Sequence, residues 1–299
     1  MSRFKNPIYE KDRWSANRSR TFFFAVVGVN AIITIIAVII FINMVWYMKT
    51  SSMTDYTAFL QLYLTLAMAE CLMIVLITPT LAGMGISQER ENGNLEIFFS
   101  SGVTPYQVVF GKFVSCMNML FVLLVTSLPV FSLVFVYGGI SMSNLIMMIV
   151  ILLIVALEVC ACSIMCSARA KSSAQAVVSA YGINLLIIAG TIFIHLAPSF
   201  LYQSSYGESL GSPVAWYHYL LLANPVVTFY GVLNVQAGSR TAIFDMINYM
   251  GNYRQNWITQ NWLPVSLCVQ AAVVAMELTI AARSVNNSKK KFQRGVRSR

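Results

Sequence analysis

Charged side chains are scarce in this sequence. Only 10% of its 299 residues are charged, whereas 58% are hydrophobic. Water-soluble globular domains carry roughly 25% charged residues and about 45–50% apolar ones. A chain with so few charges cannot cover its own surface with polar groups. The composition therefore argues against an ordinary soluble domain and predicts an integral membrane protein.

The sequence also lacks the residue patterns of common chemical sites. It contains no G-x-x-x-x-G-K-[ST] loop, so we expect neither nucleotide binding nor enzymatic activity in this chain. We interpret His195 and His218 as polar residues near the membrane surface, and we expect no metal site. The cysteines show no zinc or redox spacing, which predicts packing residues without disulfides. All six lie in apolar segments, at Cys71, Cys116, Cys160, Cys162, Cys166 and Cys268.

Long apolar segments are abundant instead. A bilayer core about 30 Å thick requires about 20 helical residues, and open strands cannot satisfy their backbone groups in lipid. The sequence therefore predicts a single all-α transmembrane domain over residues 1–299. Its six predicted spans cover residues 21–48, 57–83, 113–137, 144–168, 175–197 and 264–282.

Basic residues indicate the direction of these spans. Seventeen of the twenty Lys and Arg residues fall in the N-terminal arm, the loops after the second and fourth spans, and the C-terminal tail. Cytoplasmic loops carry such an excess, so both termini are predicted to be cytoplasmic. The net charge of +9 is then explained by topology and by contact with anionic membrane lipids, and we expect no nucleic-acid partner.

The outer region, residues 198–263, contains one further apolar segment at 214–238. The pair Asn224-Pro225 interrupts this segment midway. A seventh span here would place the basic C-terminal tail outside, against the charge rule. We therefore predict a broken hairpin, partly re-entrant or interfacial, before the last span.

The loop between the second and third spans, residues 84–112, is the most polar internal segment. It carries Glu89, Glu91 and Glu96, which are three of the eleven acidic residues in the chain. A helix lying passively on the membrane would bring these carboxylates against anionic headgroups, which would repel them. A protein partner explains the acidic residues better.

Local signals predict helices within this loop. Gly93-Asn94 is typical of a turn, with Asn94 suited to cap a helix. A second start follows, where Thr104 and Gln107 match a capping box and Pro105 fits the first helical position. Between them, three apolar residues spaced i, i+3 and i+4 form one face of a short helix: Leu95, Phe98 and Phe99.

These residues carry a resemblance to a known family. The run Glu89-Arg-Glu-Asn-Gly-Asn-Leu-Glu96 and the later Val109-Phe-Gly-Lys112 resemble the permease subunits of type 2 ABC exporters. That family shows an E-x-E-x-G-T-L-E-like stretch followed by L-G-K. Segment 6–13 is similar to the family's N-terminal interfacial helix. This sequence departs from the family at Asn94, at Phe98-Phe99 and at Gly102, where Thr, a Leu pair and Pro are usual.

The resemblance implies an exporter that obtains its energy from a partner. Two permeases, alike or different, would each dock an ABC ATPase subunit that holds ATP and magnesium, in a bacterial plasma membrane. A short loop at 168–174, with Arg169 and Lys171, would add a second contact. The coupling helix that enters the ATPase would comprise Glu89, Arg90, Glu91, Gly93, Asn94, Leu95, Glu96, Phe98 and Phe99.

Three glutamates lie within the predicted spans. A charge at the bilayer centre costs about 2.5–3.5 kcal/mol on insertion scales, so Glu70 and Glu158 are candidates for a translocation path, for proton transfer or for helix packing. Glu277 lies six residues before Arg283 and is expected to reach the interface. An alternative function is a proton- or sodium-coupled secondary transporter that uses Glu70 and Glu158. A third is a non-transporting membrane scaffold.

Overall fold

The computed structural model describes residues 9–10, 12, 20–51, 56–136, 140–201, 214–239, 241–248 and 254–297. The fold is helical, and no strand occurs in these ranges. The predicted N-terminal interfacial helix at 6–13 lies outside the described residues, except for Tyr9, Glu10 and Asp12.

Six helices are long and apolar enough to cross a membrane, which confirms the predicted number. We refer to them as spans 1 to 6. Span 5 consists of the α-helix Ser173–Leu185, a π-helical turn at Leu186–Gly190 and the α-helix Thr191–Leu201. The others are Arg20–Ser51, Tyr56–Glu91, Pro105–Val136, Met142–Arg169 and Trp262–Arg297. The architecture is that expected of a multi-pass membrane protein.

Span 4 occupies the centre of the bundle and contacts spans 2, 3, 5 and 6. Its second half is buried almost without interruption and is rich in small residues such as Ala156, Ala161 and Ser163. Lipid tails are as apolar as the helices, so transmembrane association depends on close packing, which small side chains permit. Five of the six cysteines are buried, as the packing prediction requires, and Cys268 is exposed.

Spans 1 and 5 lie at the periphery and expose large apolar side chains. In span 1 these include Phe24 and Trp46, and in span 5 they include Val178 and Leu186. Exposed apolar faces of this kind suit contact with lipid.

Several helices extend beyond the predicted spans. Span 2 continues to Glu91, span 3 begins at Pro105 rather than 113, and span 6 continues to Arg297 rather than 282. The second short helix predicted from Pro105 is therefore the first turn of span 3. The predicted capping box is confirmed, because Thr104 N donates to Gln107 Oε1 at 2.9 Å and Gln107 N donates to Thr104 Oγ1 at 3.3 Å. These polar ends continue the spans beyond the apolar segments from which the predictions were made.

The segment before span 6 is broken where the sequence predicts. A 3₁₀ helix, Trp216–Ala223, ends at Asn224, and an α-helix, Pro225–Gln236, follows. We call these two helices the outer hairpin. Two short helices, Ala242–Asn248 and Trp257–Gln260, then lead to span 6. The hairpin packs against spans 4 and 6, and the side chain of Gln236 at its end accepts a hydrogen bond from Tyr63 of span 2 at 2.7 Å.

Asn224 fixes the break in the hairpin. Its Oδ1 accepts hydrogen bonds from the backbone N–H groups of Val226 at 3.0 Å and Val227 at 3.2 Å, which makes it an N-cap. Its Nδ2 donates to the Ile188 carbonyl at 2.9 Å and to Thr191 Oγ1 at 2.8 Å. Ile188 lies in the π-helical turn of span 5, so one side chain both starts a helix and attaches it to a neighbouring span.

Candidate functional site

The candidate site is at the basic end of the spans, where the loops rich in Lys and Arg meet. A short helix, Asn94–Ser100, lies between spans 2 and 3, and we call it the loop helix. Gly93 precedes it with φ 72°, a left-handed conformation that favours glycine. The predicted capping role of Asn94 is wrong, because Asn94 is the first helical residue. Its Nδ2 instead donates to Glu89 Oε2 at 2.9 Å.

The loop helix also ends in a defined way. Gly102 has φ 84°, and its N–H donates to the Phe99 carbonyl at 3.4 Å. The next N–H, from Val103, donates to the Phe98 carbonyl at 3.2 Å. This pattern is a Schellman motif, in which a left-handed glycine closes a helix. Gly102 therefore ends the loop helix at the position where the resembled family usually has a proline.

Glu89 faces inward rather than toward a partner. It is buried, and its Oε1 lies 3.0 Å from Lys112 Nζ at the start of span 3. The same ammonium lies 2.9 Å from Asp12 Oδ1 in the N-terminal segment. The interpretation of Glu89 as a surface docking residue is therefore corrected, since its charge connects span 2 to span 3.

The apolar face of the loop helix also packs against its own chain. Leu95 and Phe99 are buried, with exposed fractions of 4% and 7%, and Phe98 is half-buried. Lys289 of span 6 places its Nζ 5.7 Å from the centre of the Phe99 ring, and it donates to the Val103 carbonyl at 3.2 Å. The predicted single apolar face is confirmed, and in this structure it packs against the rest of the chain.

The exposed face of the loop helix carries Glu96 and Ile97. Ile97 is 65% exposed, although it is a large apolar residue. Sequence reasoning missed Ile97, because it lies outside the Leu95, Phe98 and Phe99 stripe. Its position outside that face could have indicated its exposure, because an apolar residue on the opposite side of the helix does not pack with the face.

The two loops at the basic end are joined by Arg90. Its Nη2 donates to the Ala168 carbonyl at 2.8 Å and its Nη1 donates to the Ala170 carbonyl. The hydroxyl of Ser284 in span 6 donates to the same Ala168 carbonyl at 2.9 Å. The predicted coupling loop and the predicted second loop therefore form one unit with span 6.

The neighbouring residues of these loops are more exposed. Glu91 Oε2 accepts a 2.5 Å hydrogen bond from the Ser173 hydroxyl at the start of span 5. Arg169 and Lys171 are exposed. Neither of these two cationic side chains has a hydrogen bond or ion pair with any residue in the described ranges.

The three glutamates within the spans are buried, and Glu70 contacts a neighbouring span, as the helix-packing alternative predicts. Glu70 is fully buried and accepts a hydrogen bond from the Ser127 hydroxyl of span 3. Glu158 is 3% exposed, and neither of its carboxyl oxygens has a hydrogen-bond partner among the described residues. The prediction that Glu277 reaches the interface is wrong, because it is only 4% exposed and interacts electrostatically with Glu158.

The two histidines form a pair that sequence reasoning did not find. His195 in span 5 and His218 in the outer hairpin are buried, and their Nδ1 atoms lie 2.8 Å apart. Burial, followed by the neighbouring His195, lowers the pKa of His218 to about 4. No local pattern indicates this contact, because the two residues lie 23 positions apart and belong to different elements.

The described part of the chain brings together no group of three or more His, Cys, Asp or Glu side chains suited to a metal ion. No protein-family model matches the sequence, and no curated protein sequence matches it significantly. Function must therefore be inferred from the residues and the geometry at the basic end.

Proposed function

We propose that this chain is the permease subunit of an ATP-binding cassette exporter of type 2. A separate ATPase subunit, which holds ATP and magnesium, would dock on the loop helix. In this proposal the basic end faces the cytoplasm, both termini lie there, and the outer hairpin is a re-entrant element on the far side of a bacterial plasma membrane. A second permease copy or a homologous permease would complete the translocation path.

The observation that carries the proposal is the orientation of the loop helix. Its buried face, with Leu95 and Phe99, holds it against the chain, and its other face presents Glu96 and Ile97 to the surroundings. An exposed aliphatic residue beside a carboxylate suits insertion into a groove on another protein better than contact with anionic lipid. The resemblance of segment 89–96 to coupling segments supports the same interpretation.

The attachment of the loop helix supports energy transfer. Glu89 and Arg90 lie at the end of span 2, next to the loop helix. Glu89 pairs with Lys112 of span 3, and Arg90 donates to the Ala168 carbonyl at the end of span 4. Hydrogen bonds to charged groups are about twice as strong as neutral ones. Displacement of the loop helix by a partner would therefore move several spans together rather than bend one loop.

The test uses I97D with I97V as its matched control. Wild-type and variant chains are purified with the ATPase subunit that associates with them, and the complexes are reconstituted in liposomes with ATP inside or outside. We expect I97D to reduce ATPase binding and ATP-dependent transport at least ten-fold, because a buried unpaired charge opposes docking. I97V should retain both. Equal ATPase binding by I97D and wild type would contradict this docking site.

A second candidate, a secondary transporter, is favoured by one observation. Glu158 and Glu277 are two buried carboxyls in neighbouring spans, and Glu158 has no hydrogen-bond partner in the described ranges. Such groups are costly in the membrane and often belong to ion pathways. Transport that continues without an ATPase, collapses with the proton gradient and is abolished by E158Q would replace the exporter proposal with this one.

A further inference from the structure

A cavity of about 200 Å³ lies between the end of span 4 and the start of span 5, at the basic end of the bundle. Its lining includes the polar Arg169 and Gln175 and five less polar residues, which are Met165, Cys166, Ala170, Ser179 and Ile183. One water molecule requires only about 10–15 Å³ of such volume. The cavity can therefore hold a group of several heavy atoms.

The mouth of the cavity is cationic. Arg169 lines it, and its guanidinium has no hydrogen bond or ion pair with any described residue. Lys171 lies two residues further along the same loop and is also exposed. Span 5 begins at Ser173, so the positive end of its helix dipole is at this level. An anionic group would find donors here that the chain leaves unoccupied.

The carboxylate of Glu91, at the end of span 2, does not line the cavity. It accepts a hydrogen bond from Ser173. Ser173 and Gln175 are two positions apart, which separates them by about 200° around a helix of 3.6 residues per turn. Glu91 therefore contacts one side of span 5, and the cavity lies along the other.

The wall of the cavity extends from polar to apolar along span 5. Gln175, Ser179 and Ile183 are spaced four residues apart and lie on one helix face. Eight residues of helix rise by about 12 Å, so this face extends about 12 Å along span 5 from the basic end of the bundle. Nearby Val178 is 72% exposed, so this part of span 5 is open to lipid.

We propose that this cavity binds an anionic phospholipid, with Arg169 contacting the phosphate and one acyl chain lying along Ser179 and Ile183. Charge complementarity selects an anion, since arginine suits phosphate geometry well. The apolar wall selects a lipid over a free ion. Basic pockets between transmembrane helices on the cytoplasmic side are known to bind lipid head groups. The site assigns Arg169 to lipid rather than to the ATPase, and it does not depend on the proposed function.

The test measures lipid binding to the full-length protein in detergent micelles by native mass spectrometry and by the midpoint of thermal unfolding. The probes are phosphatidylglycerol, phosphatidylcholine with the same acyl chains, and inorganic phosphate. We expect phosphatidylglycerol to bind and to raise the midpoint, and the other two to have little effect. R169Q should weaken phosphatidylglycerol binding about ten-fold, the effect of losing about 1.4 kcal/mol of binding free energy.

The matched control is R283Q, which removes the same charge at the same end of the bundle but outside the cavity lining. It should retain wild-type binding. A second variant, S179L, fills the wall without changing charge and should also weaken binding. If R169Q misfolds, S179L and the comparison of probes still decide the outcome.

Several results would overturn the proposal. Equal stabilisation by inorganic phosphate would indicate a free-anion site, and equal binding of phosphatidylcholine would indicate an uncharged groove. Equal weakening by R283Q would indicate general attraction to the basic end. If R169Q and S179L both bind phosphatidylglycerol as tightly as wild type, the proposed lipid site is contradicted.

Discussion

The two ends of the bundle each carry an element that folds back against the spans, but different chemistry holds them. At the basic end, ionised groups hold the end of span 2 that leads into the loop helix. Lys112 lies between Glu89 and Asp12, and Arg90 donates to two backbone carbonyls. At the other end, neutral amides and hydroxyls attach the outer hairpin.

The hydrogen bonds of the outer end form a continuous neutral network. The hydroxyl groups of Thr228 in the hairpin and Ser266 in span 6 are hydrogen-bonded, with 2.5 Å between their oxygen atoms. Gln270 Nε2 also donates to Thr228 Oγ1 at 2.6 Å. Neutral groups cost less to bury than charges, whereas charged bonds are stronger and more directional. The comparison indicates that charged hydrogen bonds hold the loops of the basic end, whereas neutral hydrogen bonds allow the outer hairpin to be buried between the spans.

The largest expected effect comes from removing the cation at the basic end. K112M leaves Glu89 and Asp12 without their shared partner, and breaking a buried pair in this way costs about 3–5 kcal/mol. Chemical unfolding in micelles should report that loss. K171M is the matched control, since the Lys171 ammonium has no partner among the described residues. A loss no greater than that of K171M would show that the ionic attachment contributes little.

Acid should weaken the outer end through His218. Its folded-state pKa of about 4 lies below the usual value of 6.5, so the unfolded chain binds a proton first as pH falls. Stability contributed by neutral His218 is therefore present above pH 6.5 and decreases toward pH 4. Because the unfolded chain binds more protons than the folded chain in this pH range, the free energy of unfolding falls as the pH is lowered. Unfolding free energies of wild type and H218N should converge as the pH is lowered, and a difference independent of pH would contradict the assignment.

Removal of the hairpin cap should have a smaller effect. N224A leaves two N–H groups of the following helix unbonded and removes the donor to Ile188, and loss of an N-cap costs about 1–2 kcal/mol. N234A is the control, because Asn234 lies within the same helix and bonds only its own preceding turn, at Tyr230. Thermal unfolding should distinguish the two variants, and equal midpoints would show that the break needs no cap.

An effect no larger than that of N224A concerns the turn before the loop helix. A Cβ at Gly93 would meet no atom within 4 Å, so G93A adds only the cost of a left-handed backbone, about 1–2 kcal/mol. Gly28 in span 1 is equally open but lacks the positive φ, so G28A should be neutral or slightly stabilising. If both variants unfold at the same temperature, the left-handed turn does not contribute to the firmness of the basic end.

The sequence predicted the features that depend on local pattern. Six spans follow from apolar segments of sufficient length, the break at Asn224 follows from Asn-Pro, and the start of span 3 follows from the Thr104 capping box. Each of these signals acts within a few residues. Composition and spacing therefore suffice for them.

The polar contacts that build the candidate site were not predictable in the same way. Arg90 reaches carbonyls 78 and 80 positions away, and Lys112 reaches Asp12 across 100 positions. The resemblance places Glu89 and Leu95 in a docking helix, and periodicity places Leu95 on one apolar face with Phe98 and Phe99. Neither signal shows what these side chains contact within the chain. The tertiary arrangement of spans 3, 4 and 6 decides that these residues point inward.

The Ala168 carbonyl connects three helices at the basic end. It accepts hydrogen bonds from Arg90 of span 2 and Ser284 of span 6, and it belongs to span 4 at the centre of the bundle. This one carbonyl oxygen thus links three helices through hydrogen bonds. A displacement of the end of span 2 would therefore be transmitted to span 4 through this shared hydrogen-bond acceptor.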